Sequence, residues 1–204
     1  MPTRLRAALL NRPLTPAEET AILPILPPAR RARLLKMQSA EKRREPLCAY
    51  TLLLSLVNDF CGWQTLPEIA LTPSGKPYFP QHPTVHFNLS HTGGAVLAGI
   101  SDRPIGVDIQ RVRPVDKGML ERYAPSGTEE EFFRNWVRWE AQGKRTGEGI
   151  ITRLHAADAL QDSSFYYPLE TFPGYAAGVA CETTPESLVL WTLDDPGSVL
   201  EWES

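Results

Sequence analysis

The chain carries no CxxC pair, no HExxH and no cluster of cysteine with histidine, so zinc has no recognisable ligand set. Its three cysteines, Cys48, Cys61 and Cys181, are odd in number and unpaired in spacing, which argues against a disulfide framework. There is no GxSxG elbow and no acid pattern to accompany a serine hydrolase. No apolar run is long enough to cross a bilayer and the N-terminus lacks a signal-peptide pattern, so a cytoplasmic chain without membrane contact is expected. A net charge of −3 over 204 residues gives no global case for binding nucleic acid. No close internal repeat is visible.

What is present is more specific. Nineteen prolines, many of them between apolar runs, point to many short elements. Seven basic residues (Arg30, Arg31, Arg33, Lys36, Lys42, Arg43, Arg44) stand against one acid, Glu41, in a chain that is acidic elsewhere. On charge alone, this is either a solvated helix face or a patch for a local anionic ligand.

The periodicity predicts a strand near Leu5–Leu10, then a short helix with Thr15 as N-cap and Pro16 at its first position. A basic helix is expected over about residues 29–42. Pro46 then restarts the chain, and a buried helix follows over Leu47–Phe60, ended by Gly62. Strands follow at Val85–Ser90, Ala95–Ser101 and Ile105–Ile109, the last after the turn Asp102-Arg103-Pro104. Glu129–Arg145 reads as an amphipathic helix, and Ala176–Glu182 with Ser187–Leu193 as a pair of strands. The class is α+β, with a boundary near residues 102–104 dividing the chain into halves 1–103 and 104–204.

Four elements carry chemistry. Gly75-Lys76-Pro77 lifts a lysine from a turn, which suits a phosphate contact and equally an ordinary loop. Phe87-Asn88-Leu89-Ser90-His91-Thr92-Gly93 buries Phe87 and Leu89 and delivers Ser90 and His91 to a turn, as a polar ligand site or simply a polar turn. In Ile105-Gly106-Val107-Asp108-Ile109-Gln110, alternation sets Gly106, Asp108 and Gln110 on one face. A carboxylate at Asp108 among β-branched neighbours must be paired, hydrogen-bonded or on a metal. Gly106 lets a backbone or a ligand approach. Last, Trp136, Glu140 and Lys144 recur every four residues, so Trp136 would anchor a helix face from which Glu140 and Lys144 project.

In this order and spacing, the four elements resemble the 4′-phosphopantetheinyl transferase superfamily, in its larger, monomeric, surfactin-synthetase-activating type. The likeness runs through about residues 25–150. It implies a pseudo-twofold pair of similar α+β halves, each a small antiparallel sheet packed with helices, with the active site in the cleft between them. It implies Mg2+-dependent transfer of 4′-phosphopantetheine from coenzyme A to a serine of an acyl or peptidyl carrier protein, releasing 3′,5′-ADP. Asp108, Glu140 and Lys144 become the catalytic set. Asp108 and Glu140 become the metal ligands, with Gln110 a weaker or water-bridged third. Arg30, Arg33, Lys76, Ser90, His91 and Lys144 become the coenzyme A contacts, which gives the basic helix a purpose.

The chain departs from the family pattern at several positions. Gln110 stands where many relatives place a second metal-binding acid, and Trp139 where they place a lysine near the phosphates. Pro46 and Leu54 replace a polar nucleotide contact and an arginine, and the segment between Pro114 and Phe132 is short. Gln110 and Trp139 lend support to an alternative, a binding module for coenzyme A or a carrier protein with weak or repurposed activity.

Overall fold

The structure, a computed structural model, describes residues 2–148 and 165–193. In chain order the elements are β1 (Arg4–Leu10), α1 (Pro16–Ile22), a single 3-10 turn (Leu23–Ile25), α2 (Pro28–Leu35), α3 (Ala40–Cys61), β2 (Ala70–Leu71) and β3 (Pro77–Tyr78). They continue with β4 (His86–Thr92), β5 (Ala95–Ser101), β6 (Gly106–Arg111), α4 (Lys117–Tyr123), α5 (Glu129–Thr146), β7 (Tyr166–Leu169), β8 (Tyr175–Ala180) and β9 (Ser187–Leu193).

The local signals act as read. Thr15 caps α1 through a full capping box, its hydroxyl accepting from the Glu18 N–H while the Glu18 carboxylate accepts from the Thr15 N–H at 2.8 Å. Arg12 grips the same carboxylate with two bonds of 2.7 Å. Gly62, at φ 73°, ends α3 as a left-handed cap.

The basic stretch is where the structure departs from expectation. It is not one helix over 29–42. Residues 36–39 form a corner, and α3 starts at Ala40 and runs straight through Pro46. Arg43 latches that corner by donating to the Met37 carbonyl and, at 2.5 Å, to Glu19 on α1. A proline in a helix removes one N–H and crowds the carbonyl four residues back. Here the long apolar run behind Pro46, buried from Leu47 to Val57, holds the helix through it.

The larger sheet has the order β4-β5-β1-β9 and the smaller β6-β8-β7, with β2-β3 as a separate ribbon. The expected pairing of the last two strands does not occur. β8 lies between β6 and β7, so neither of its edges is open, and β9 instead runs parallel to β1, with Leu5 opposite Leu188. Arg4 fixes that register by pairing with Glu186 at 3.0 Å. A strand from the second half of the sequence therefore completes the sheet of the first.

Every residue of β5 is buried, because both of its faces are covered. On one side α3 packs Leu52, Leu56 and Val57 with Phe79 and Phe87. On the other, Leu5, Ala7 and Leu97 meet Ile105, Val107 and Ile109 of the second sheet. The order of layers is α3, first sheet, second sheet, α5. Since Val107 and Ile109 face inward, Asp108 between them faces α5.

Two contacts set α5 against the second sheet. A Cβ on Gly106 would collide with the Ala141 carbonyl and the Arg145 backbone nitrogen, so glycine is what lets the helix lie this close. Lys76, from the turn before β3, donates to the Arg145 carbonyl at 2.7 Å and the Ile105 carbonyl at 3.1 Å. Burial, with the Arg145 charge, pushes its ammonium down from 10.5 to about 8.

Both contacts are testable. Gly106→Ala is expected to lower stability by about 2 kcal/mol or more through overpacking, read in urea unfolding. The folded-state value of Lys76 lies below its unfolded one, so the unfolded chain holds the extra proton between them and stability rises with pH from about 8 to about 10.5. The stability difference between the parent chain and Lys76→Met should grow in the parent's favour across that range, while the buried Cys48 thiol and Tyr166 hydroxyl, both pushed up to about 12, act equally on both chains.

Candidate active site

The two sheets meet along a seam in which side chains of β4 stand in for a strand partner. Asn88 accepts from the Val107 N–H at 2.9 Å, and the Ser90 hydroxyl accepts from the Ile109 N–H at 3.3 Å. The same Ser90 hydroxyl donates to Asp108 Oδ1 at 2.7 Å. Lys144 reaches down from α5 to Asp108 Oδ1 at 2.6 Å and to Ser90 Oγ at 3.1 Å. Gln110 Nε2 donates to Asp108 Oδ2 at 3.2 Å. Asp108 is 1% exposed, and these donors are what make a buried carboxylate tolerable there.

Glu140 lies one helical turn before Lys144. Burial first, and then the Asp108 charge, push its carboxyl above the usual range, against the pull of Lys144. Two carboxylates that repel each other beside a single ammonium form a site short of positive charge. With the Gln110 amide at its edge, this donor set suits a hard divalent cation that keeps several waters. Among the described residues no group of three His, Cys, Asp or Glu side chains converges, so such an ion would draw only two charged ligands from the protein.

Two clefts adjoin the site, one reached by Lys144 and the other by Gln110 and Glu140. A basic groove runs along the β2–β3 turn in two lobes of about 240 Å³ each, which share Gly75, Pro77 and Leu89. The outer lobe carries Arg30, Arg33, Tyr50 and His91. The inner lobe carries Lys76, Asn88 and Lys144. Arg30 is only 9% exposed, and its buried Nη2 has no hydrogen-bond partner among the described residues. An orphaned guanidinium nitrogen on a groove wall is a strong attractor for an oxyanion. The other cleft, about 450 Å³, is lined by Val115, Met119, Phe132, Phe133 and Trp136 together with Gln110, Arg113 and Glu140.

Most of the residues singled out from sequence thus meet. Ser90, Asp108, Gln110 and Lys144 form one hydrogen-bonded cluster, with Glu140 beside it. Arg30, Arg33 and His91 line the outer lobe and Lys76 the inner one, where its ammonium rests on the two carbonyls already described. The helix anchor differs from expectation. Trp136 is only partly buried and stacks on Phe132 at the cleft beside Glu140, whereas Trp139, 1% exposed, is the buried anchor, edge-on to Tyr123 at 5.5 Å. Position 139 therefore points into the core against α4, and the tryptophan there fills space away from the groove. Pro46 lines the outer lobe, and Leu54 is buried.

Sequence reasoning missed Glu45. Its carboxylate lies 3.0 Å from His91 Nδ1 and accepts from the Gly94 N–H at 2.7 Å. Nothing local in the sequence marks that contact, because it depends on how α3 lies across the β4–β5 turn.

No protein-family model matches the chain. Curated relatives do, among them the following three. A 4′-phosphopantetheinyl transferase of Bacillus pumilus is 38% identical over 98 residues, an alignment covering 42% of each chain. The 4′-phosphopantetheinyl transferase Sfp of Bacillus subtilis is 25% identical over 205 residues, covering 87% of this chain and 91% of its own. The 4′-phosphopantetheinyl transferase AcpT of Escherichia coli is 31% identical over 114 residues, 48% of this chain and 58% of its own. The ordered motifs, the cluster they form and these similarities agree: the chain is similar to the 4′-phosphopantetheinyl transferases, Sfp among them over most of its length.

Proposed function

We propose that this chain transfers 4′-phosphopantetheine from coenzyme A to a serine of an acyl or peptidyl carrier protein, with Mg2+ as its cofactor and 3′,5′-ADP as the second product. The observation that carries the proposal is the position of the Asp108–Lys144–Glu140 cluster, between a groove carrying Arg30, Arg33 and Lys76 and a cleft walled by Phe132, Phe133 and Trp136. The reaction needs a polyanion on one side and a protein surface on the other.

The chain's own residues divide the work accordingly. Arg30, Arg33 and His91 in the outer lobe take the nucleotide end, where Arg30 Nη2, without a partner among the described residues, donates to a phosphate oxygen. Lys76, Ser90 and Lys144 in the inner lobe take the phosphates nearer the reaction. Asp108 and Glu140, with Gln110 directly or through water, would hold the metal; when bound, it offsets charge on the pyrophosphate as that linkage breaks. Glu140, whose carboxyl is held above the usual range, takes the proton from the serine hydroxyl, directly or through water. The serine oxygen forms the new bond to the phosphorus carrying pantetheine, and 3′,5′-ADP leaves with the former bridging oxygen.

The cleft along α4 and α5 receives the carrier beside Glu140. Carriers of polyketide, nonribosomal peptide or fatty acid synthesis fit this role. The two sheets with their outer helices, residues 1–103 and 104–204, are read as the paired halves of the family fold, joined near residues 102–104, with β9 returning to the first. The three cysteines, unpaired among the described residues, suit a reducing cytoplasm, and the chain is read as a monomer.

Incubation with coenzyme A, Mg2+ and a panel of apo carrier proteins should give a phosphopantetheine mass gain on the carrier serine. Asp108→Ala and Glu140→Ala should each lower the rate by about 100-fold or more with the fold intact by circular dichroism, and full rates in both would remove the assignment. Arg30→Ala should weaken coenzyme A binding about tenfold in calorimetry. Coenzyme A binding without transfer to any carrier would instead describe a binding module.

A further inference from the structure

Glu45 is a carboxylate in a groove otherwise built for anions, and the role proposed above for His91 does not account for it. It lies on α3 and reaches across to the turn between β4 and β5, where it contacts His91 Nδ1 at 3.0 Å and the Gly94 N–H at 2.7 Å. The His91 bond is the largest influence holding the Glu45 carboxyl below the usual range; burial opposes it, and the Gly94 bond adds to it.

A purely structural role, clamping the turn, is a weak explanation. Gly93 and Gly94 both have positive φ, at 54° and 91°, which glycine adopts without strain. The turn is already tied down by the Tyr175 hydroxyl donating to the Gly93 carbonyl at 2.6 Å and the Leu10 N–H donating to the Gly94 carbonyl at 2.7 Å. Nor is Glu45 placed there to pair with its neighbour Arg44, which is engaged with Glu41 at 3.1 Å and with the Arg12 carbonyl at 3.2 Å.

We infer that Glu45 is a positioning residue that sets His91 for phosphate capture. The inference rests on the coenzyme A reading above. With Nδ1 held by the carboxylate, the His91 ring is fixed in the outer lobe beside Arg30 and Arg33, and Nε2 has no hydrogen-bond partner among the described residues. Once a phosphate occupies the lobe, the ring lies between two anions, and an imidazolium donating to both is the form that satisfies them. Glu45 thus acts through His91. Without His91, the same carboxylate would only repel the phosphate.

That dependence predicts a change of sign. Glu45→Gln keeps the shape and a hydrogen-bonding side chain and removes the charge. In the parent chain it should weaken coenzyme A binding about fivefold in calorimetry, and in the His91→Ala background it should tighten it. An effect of the same sign in both backgrounds, no effect in either, or a Glu45→Gln chain that does not fold would overturn the inference and leave Glu45 as a turn clamp or a competing anion. Failure of the parent chain to bind coenzyme A would overturn the coenzyme A reading itself, and this inference with it.

Discussion

A carboxylate buried between the second sheet and α5, at the seam with β4, is the constraint around which the rest of this structure is arranged. Removing Asp108 from water is costly unless donors meet it, and it is met from three elements: Ser90 on β4, Gln110 on its own strand and Lys144 on α5. Each donor imposes a further requirement. Ser90 must lie at the edge of the first sheet, so that edge gives its hydroxyl and the Asn88 amide to β6 where a strand neighbour would otherwise pair. Lys144 must come close, so the helix settles onto Gly106 with no room for a Cβ. The ammonium that makes the burial tolerable is thereby fixed beside Glu140. The polar cluster and the packing of the second sheet are one arrangement.

The same economy explains two residues whose surroundings differ from what their positions suggest. Trp139 replaces a family lysine, yet its side chain lies in the core against Tyr123, so the exchange alters how α5 is anchored to α4 more than it alters the groove. Lys76 is on the groove wall, but its ammonium caps two backbone carbonyls and is partly stripped of water. An oxyanion in the inner lobe would have to share that ammonium with the two carbonyls or draw it away from them.

Elements whose signals are local were legible in the sequence. The Thr15 cap, the Gly62 stop, the all-buried run Ala95–Ser101 and the helical spacing from Phe132 to Lys144 each express a short-range rule, and each is found. The alternation around Asp108 was also enough to predict that it would be buried and compensated, and that Gly106 would admit a neighbouring backbone. What could not be read depends on packing at a distance. Pro46 looked like a restart because its penalty is local, while the burial that outweighs it comes from β1, β4 and β5. The partner of Ser187–Leu193 depended on which strand edge remained open, and the Glu45–His91 contact on the path of a helix across a turn 46 residues further along the chain.

The parallel pairing of β1 with β9 has a consequence in time. Arg4 and Glu186 are 182 positions apart, and every groove residue lies between them. As the chain leaves the ribosome, its first strand can pair with β5 early, but its other edge stays bare until the last strand emerges. Closing so long a loop is slow, so the larger sheet should be the last part to mature, well after the helix carrying Glu140 and Lys144 has formed. During synthesis the protein therefore presents an open strand edge to its neighbours, and arrest or cleavage shortly before residue 187 would make that exposure permanent.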